Sequence, residues 1–223
     1  MCNHYVPASA TALARQFGVA MRHDYRHHDV FPRTPGLFIR RDRHAPRYER
    51  ELVEGQWGLI PWFAKTARLS YATNNARAEE LEAKASYKLP WARSQRCLIP
   101  AEVFWEPCWE TGKNVWWSFR RADGAAFALA GLWNAWVDRN TGAEHESYTM
   151  LTVNADTHPL FRRMHRPDPN APPEAQDKRM VVVLEADAWD EWLEAPPEHA
   201  RALIRQAPAE IFDAAPDPGR KQR

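Results

Sequence analysis

The sequence predicts an α+β fold: a single domain on a barrel-like, mostly antiparallel β core with a few short helices. Three observations predict it. Short strand-like runs, bounded by turn residues, recur over most of the chain. Helical patterns are few, brief and do not alternate with strands as a βαβ fold requires. The 223 residues, 44% of them apolar and 26% charged, suit one soluble domain with a substantial core.

The elements follow in order. Residues 9–18 read as a short helix that Ser9 or Thr11 caps and Gly18 ends. From His23 to Arg47 the chain is rich in His, Arg and Pro, and only Gly36–Arg40 is strand-like. Arg47–Gly55 alternates weakly, as an exposed strand does, and Trp57–Trp62 is an apolar run closed by Pro61. Ala78–Ala85 is a short helix candidate. Strands are expected at Arg96–Ile99, Glu102–Trp105, Val115–Arg120, Ala126–Trp133 and Ser147–Asn154. Pro159–His165 reads as one or two helical turns, and Arg166–Lys178, with four prolines, as a surface loop. Arg179–Leu184 is a β-branched strand, and helices follow near Ala186–Leu193 and Glu198–Arg205. The domain is expected to span residues 1–205, with 206–223 a disordered tail.

Composition excludes several classes. No stretch approaches the ~20 apolar residues that cross a bilayer, and the polar start is unlike a signal peptide. The expected location is therefore the cytoplasm, with no membrane partner. Cys2, Cys97 and Cys108 are too few for a disulfide framework and lack metal-ligand spacing. No metal and no cofactor is expected. Charge is uneven. Residues 1–100 carry 16 Lys and Arg against 9 Asp and Glu, and residues 101–223 carry 14 against 20. The basic half either forms one phosphate-binding face or is spread over the surface. The eleven tryptophans are mostly core, though an exposed one would stack on a nucleic acid base.

The chemistry begins at Met1-Cys2-Asn3-His4-Tyr5. Removal of Met1 would place a thiol and a free α-amine on adjacent carbons. Together they capture an aldehyde as a Schiff base and close it to a thiazolidine. Four further segments embed polar groups in apolar or turned contexts. Asn74-Asn75-Ala76-Arg77 offers an amide that orients oxygens and a guanidinium that forks a phosphate. In Cys97–Glu106, alternation puts Glu102, Phe104 and Glu106 on one strand face. Aromatic surroundings are expected to raise the carboxyl pKa toward neutrality. Met164-His165 supplies an acid–base group, with His158 as its competitor. Trp57-Gly58-Leu59-Ile60-Pro61-Trp62 supplies rings that wedge or stack.

Taken together these blocks resemble the SOS-response-associated peptidase (SRAP) family of abasic-site-processing proteins. The matching residues are Met1-Cys2 with Tyr5, Trp57–Trp62, Asn75-Ala76-Arg77, Arg96–Ala101 into Trp105-Glu106, and His165 with Arg179–Leu184. There are four departures. Asp29-Val30-Phe31-Pro32 stands where the family often has an Asn-X-Ala-Pro segment, and the usual C-terminal portion reads as shortened after about Arg205. Asn3-His4 stands where the family usually has Gly-Arg, and the Arg166–Lys178 loop separates His165 from a strand that usually adjoins it. The resemblance implies a covalent link between Cys2 and the ring-opened abasic site of single-stranded DNA. It also implies self-catalysed removal of Met1 and lyase-like Schiff-base chemistry. Catalytic roles fall to Cys2, Asn75, Glu106 and His165, and DNA contacts to His4, Trp62 and Arg77. The expected partner is single-stranded DNA containing abasic sites, bound by a monomer that joins the nucleoid during repair. Two other classes fit the same N-terminal cysteine or the same surface: an amide-cleaving hydrolase, and a non-catalytic single-strand-binding module.

Overall fold

A computed structural model of the chain describes residues 1–21, 25 and 28–219. Parts of the His- and Arg-rich segment (22–24, 26 and 27) and the end of the expected tail (220–223) lie outside the described residues. Ten strands form one sheet. They are β1 (Tyr5–Pro7), β2 (Pro35–Arg41), β3 (Arg50–Trp57), β4 (Asn75–Arg77), β5 (Arg96–Cys108), β6 (Val115–Arg121), β7 (Phe127–Val137), β8 (Glu144–Asn154), β9 (Arg179–Val181) and β10 (Phe212–Pro216). The helices are α1 (Ala10–Gln16), α2 (Ala85–Ala92), α3 (Trp189–Glu194) and α4 (Pro197–Ala202). Strands β5, β2, β3, β8 and β7 pair in sequence, and β7 returns to β5, closing a five-stranded barrel. The predicted α+β class and barrel-like core are what the chain forms.

Strand β5 organises the molecule. The two strands expected at Arg96–Ile99 and Glu102–Trp105 are one continuous strand. Its first half sits in the barrel wall between β2 and β7, and its second half pairs with β1 and β6. The change of partners falls next to Pro100, where the missing N–H costs least. Phe104, Phe119, Phe127, Phe161 and Phe212 stack beneath this second half, all buried. A rigid apolar floor therefore lies under the segment that carries Glu106.

Close approach fixes β1 on the barrel. The Tyr5 and Tyr148 hydroxyls hydrogen-bond to one another in the interior. A Cβ at Gly36 would lie 1.9 Å from the Tyr148 oxygen and 2.5 Å from that of Tyr5, so only glycine lets β2 pass.

Local expectations change in two places. The helix expected over Ala78–Ala85 is a single 3₁₀ turn (Ala78–Glu80), and the helix proper starts where that expectation ends. Burial of Tyr87 and Trp91 on α2 outweighs the backbone bond that Pro90 forgoes. The expected disordered tail is also corrected. Residues 212–216 are β10, paired along its length with β6 while Phe212 enters the aromatic floor. A segment of polar and small residues is ordered here by one buried phenyl ring and an open sheet edge.

Candidate active site at the N-terminus

The register of β1 on β5 delivers the N-terminus to Glu106. Tyr5 faces Phe104, and Trp105 N–H donates to the His4 carbonyl at 3.2 Å. The residues before Tyr5 therefore run past the next β5 side chains. Cys2 is wholly buried, at 0% exposure, and its thiol donates to the His4 carbonyl at 3.5 Å. The Cys2 carbonyl accepts two amide donors, Asn75 Nδ2 at 2.7 Å and Asn74 Nδ2 at 3.3 Å. Asn74 Nδ2 also donates to Asn3 Oδ1 at 3.0 Å. β4 positions both asparagines by pairing in parallel with β8, Asn75 opposite Met150. These donors act on the carbonyl after Cys2, one bond beyond the Met1–Cys2 linkage. They hold Cys2 in place rather than polarise the Met1 carbonyl. Asn74 joins the site beside Asn75, to which alone the sequence assigns a role. Its signal is burial of an amide just outside a strand, which only tertiary structure creates.

Met1 covers the cysteine, and its ammonium lies 3.5 Å from Glu106 Oε2. The same oxygen meets His165 Nε2 at 2.7 Å. Glu106 is only 1% exposed. Burial pushes its carboxyl up, yet the Met1 ammonium and the His165 imidazole, by charge and hydrogen bond, hold it below the ordinary value. This corrects the expectation of a pKa raised toward neutrality. The burial is as expected, but the terminal ammonium and the His165 ring outweigh it. Among the described residues, Glu106 Oε1, His165 Nδ1 and Asn75 Oδ1 are buried without a hydrogen-bond partner, and unpaired polar atoms of this kind are costly.

His165 is held rigidly. Its backbone is left-handed (φ 62°), a costly state for a non-glycine residue. Two contacts enforce it. His165 N–H donates to the Pro107 carbonyl at 2.6 Å, and Lys178 Nζ donates to the His165 carbonyl at 2.7 Å. His158 points elsewhere. Its Nδ1 accepts from Leu160 and Phe161 N–H at 3.2 and 3.1 Å, and its Nε2 donates to the Ala207 carbonyl at 2.9 Å. Burial lowers its pKa, and the ring is used entirely on backbone.

The three expected DNA contacts are placed unevenly. Trp62 is 59% exposed beside Phe63, which also faces solvent. Arg77 is half-exposed, but its guanidinium already pairs with Asp177 and lies 3.7 Å from Glu80. His4 is buried, stacked between Phe31 and Trp105 and paired with Asp29. That packing makes it a support of the site rather than a surface group. Part of the basic half is neutralised by the acidic half. Arg40, Arg43, Arg41, Arg50 and Arg77 pair with Glu146, Glu144, Glu194, Asp190 and Asp177 of the acidic half. Among the described residues Arg33, Lys65 and Arg68 carry no ion pair and lie around the loop that presents Trp62.

Two open clefts flank the centre. One of about 390 Å³ is lined by Asn3, Arg33, Trp57, Gly58, Tyr71 and Asn74. The other, about 750 Å³, is lined by Trp109, Arg162, Arg163, His165, Glu174 and Lys178. No helix among the described residues is long and apolar enough to cross a membrane, and no His, Cys, Asp and Glu cluster there could hold a metal ion.

Comparisons with known proteins fit this geometry. The family model described as SOS response associated peptidase (SRAP) matches residues 1–216. The abasic site processing protein YoqW of Bacillus subtilis is 30% identical over 165 residues, 71% of this chain and 66% of that protein. Abasic site processing protein HMCES of Gallus gallus is 27% identical over 207 residues, 79% of this chain and 57% of that protein. The chain thus spans two thirds or less of the length of the curated relatives it matches. A crystal structure of a protein from Bordetella bronchiseptica superposes with a TM-score of 0.85 at 37% identity, covering 97% of this chain and 99% of that one. A second, from Bacteroides thetaiotaomicron, superposes at 0.77 with 22% identity, over 96% of this chain and 91% of that one, and shares the fold. The chain belongs to the SOS response associated peptidase (SRAP) family.

Proposed function

We propose that this chain processes abasic sites in single-stranded DNA by attaching itself covalently through Cys2. The observation that carries the reading is the buried cluster at the N-terminus, where Glu106 meets both the terminal ammonium and His165. While Met1 is attached, the Cys2 nitrogen is an amide and the side chain is buried, so on this reading a chain that keeps Met1 is blocked. Loss of Met1 frees the amine and uncovers the thiol. Placement of the terminal ammonium on Glu106 supports self-processing, with the carboxylate as the base that activates a water.

In the exposed form, the Cys2 amine attacks the C1′ aldehyde of the ring-opened sugar. Water leaves and a Schiff base forms. The Cys2 thiol then adds to the imine carbon, its proton passes to the nitrogen, and the thiazolidine closes with nothing further lost. An N-terminal amine at about 7.7–8.0 and a thiol at about 8.5 are mostly protonated at pH 7, so both need a proton acceptor. Glu106, held as a carboxylate, orients the ammonium by charge and relays its proton toward His165 as the amine attacks. His165, hydrogen-bonded to the same oxygen and with Nδ1 unspent, shuttles protons at the sugar oxygen and the carbinolamine. Asn74 and Asn75 hold Cys2, so that amine and thiol face one position. Trp62 stacks on a flanking base, and Arg77 grips a flanking phosphate.

The test is incubation of the purified chain with single-stranded DNA carrying one abasic site, read on a denaturing gel and by intact mass. A heat-stable adduct of chain lacking Met1 is expected, at the summed mass less one water. Absence of that adduct, or an equally durable one from Cys2→Ser, overturns the reading. Amide turnover without an adduct would favour the hydrolase class. Unchanged DNA binding by Cys2→Ala with no adduct in the parent would favour the simple binding module.

A further inference from the structure

The loop of residues 166–178 reaches back across the site. Its last residues carry an unusual set of contacts. Asp177 pairs through one carboxylate oxygen with Arg77 and through the other with Arg179 Nη1 at 3.0 Å. Arg179 is buried and already bound, to Glu79 Oε2 at 2.7 Å and the Thr152 carbonyl at 2.8 Å. Arg77 is half-exposed. The Asp177 carboxylate is thus anchored on the Arg179 side and solvent-facing on the Arg77 side.

The backbone is built to aim it there. Asp177 is left-handed, with φ 51°. Asp156 enforces the turn by accepting from Asp177 N–H at 3.1 Å and Lys178 N–H at 2.8 Å. Gln176, one residue earlier, ties the loop to itself through Asp168 N–H at 2.8 Å and the Ala171 carbonyl at 2.8 Å. Lys178, one residue later, holds the His165 carbonyl. The aspartate therefore sits between two pinned residues rather than on a loose tip.

A carboxylate and a phosphate present the same paired oxygens to a guanidinium. We propose that Asp177 is a built-in surrogate for a DNA phosphate. It occupies the fork of Arg77 and is displaced when the strand enters. The proposal rests on the reading that Arg77 grips a flanking phosphate. It assigns a regulatory role to the proline-rich loop that separates His165 from β9. An exposed or half-exposed ion pair is a weak latch. Asp177 therefore lowers affinity for any strand by a small factor and leaves the reaction with bound DNA intact.

Displacement has an ionic signature. Each phosphate contact on single-stranded DNA releases counterions, giving a salt slope of about −0.7 per contact. A displaced Asp177 takes a cation back, which offsets part of that release. Removing its charge should therefore tighten binding and steepen the slope together.

The experiment measures binding of a fluorescent single strand carrying a tetrahydrofuran abasic analogue, which lacks the aldehyde, across a salt series. The chains are the parent, Asp177→Asn, Arg77→Ala, the double variant and Glu174→Gln. Asparagine tolerates the left-handed backbone, so Asp177→Asn keeps the loop. Arg77→Ala is expected to weaken binding. Asp177→Asn is expected to tighten it about two- to five-fold and steepen the slope by up to about 0.7. In the Arg77→Ala background that gain should vanish. Glu174 lies on the same loop, away from Arg77 and without an ion pair among the described residues, so Glu174→Gln should change little. Equal tightening by Glu174→Gln, no gain from Asp177→Asn, or a gain that survives without Arg77 overturns the surrogate. If Arg77→Ala leaves affinity unchanged, the phosphate-fork reading falls and takes this proposal with it. If Arg77→Ala weakens binding while Asp177→Asn does nothing, only the surrogate falls.

Discussion

His158 and His165 bracket one 3₁₀ turn, Phe161–Arg163, and their rings are left in opposite states. His158 uses both nitrogens on backbone, two N–H groups on one side and a carbonyl on the other. His165 uses one nitrogen on a buried carboxylate and leaves the other unpaired. The first arrangement fixes a tautomer and locks a turn. The second leaves one nitrogen without a partner among the described residues, on the wall of an open cleft. Two histidines seven residues apart thus separate by what their second nitrogen touches: one is structural, and the other is free for the chemistry proposed above.

The strongest way to break this comparison is to remove each ring in turn. His165→Gln should slow crosslinking by roughly 10²–10⁴-fold, the usual worth of a positioned acid–base group. Its thermal stability at neutral pH should fall modestly, since buried Glu106 loses one of the two groups that offset its desolvation. Single-turnover adduct formation on gels measures the first and calorimetry the second. A rate within three-fold of the parent would deny His165 its role.

His158→Ala should do the reverse. It strands two backbone donors and one carbonyl in the interior, and leaving buried groups unpaired costs about 1–3 kcal/mol each. Denaturant melts should show a loss of that order, with the crosslinking rate of the folded fraction unchanged. A fall in that rate with no loss of stability would exchange the two assignments.

Trp62→Ala comes next. A base stacked on an aromatic ring contributes about 1–3 kcal/mol, so affinity for single strands should drop by one to two orders of magnitude, measured by anisotropy. Cys2 chemistry at saturating DNA should survive.

The smallest effect is on pH. The folded Glu106 carboxyl lies below its unfolded value, because the terminal ammonium and His165 outweigh desolvation. Its stabilisation is therefore complete above the unfolded carboxylate range near 4.3 and is lost as pH falls through the folded value. Stability measured between pH 6 and 3 should decline on the acid side. His165→Gln should flatten that decline, since it removes one of the groups depressing the pKa. An unchanged acid limb would mean that His165 contributes little charge to the pair.

Much of this was legible in the chain. Cys2, Asn75, Glu106 and His165 each stood in a short block with an apolar or turned context. The structure brings all four to one place. The fold class followed from run lengths, since short strands without intervening helices leave few alternatives. What stayed hidden is long-range. The Glu106 pKa runs opposite to local expectation because its cations come from residues 1 and 165. Asn74 gains its role only when β4 meets β8. Strand β10 depends on Phe212 finding a floor built by Phe104, Phe119 and Phe127. His4 read as a surface base, but Phe31 and Trp105 close around it.

The pairing of one half of the chain with the other has a consequence for how damage is found. Arg40, Arg41, Arg43 and Arg50 are satisfied internally, and the chain's formal charge is +1. At physiological ionic strength, where fields fade within about 8 Å, such a molecule has little pull on distant polyanions. Under the reading proposed above, it samples intact strands briefly and releases them. Selectivity then comes from bond formation: only a lesion that offers an aldehyde keeps the protein.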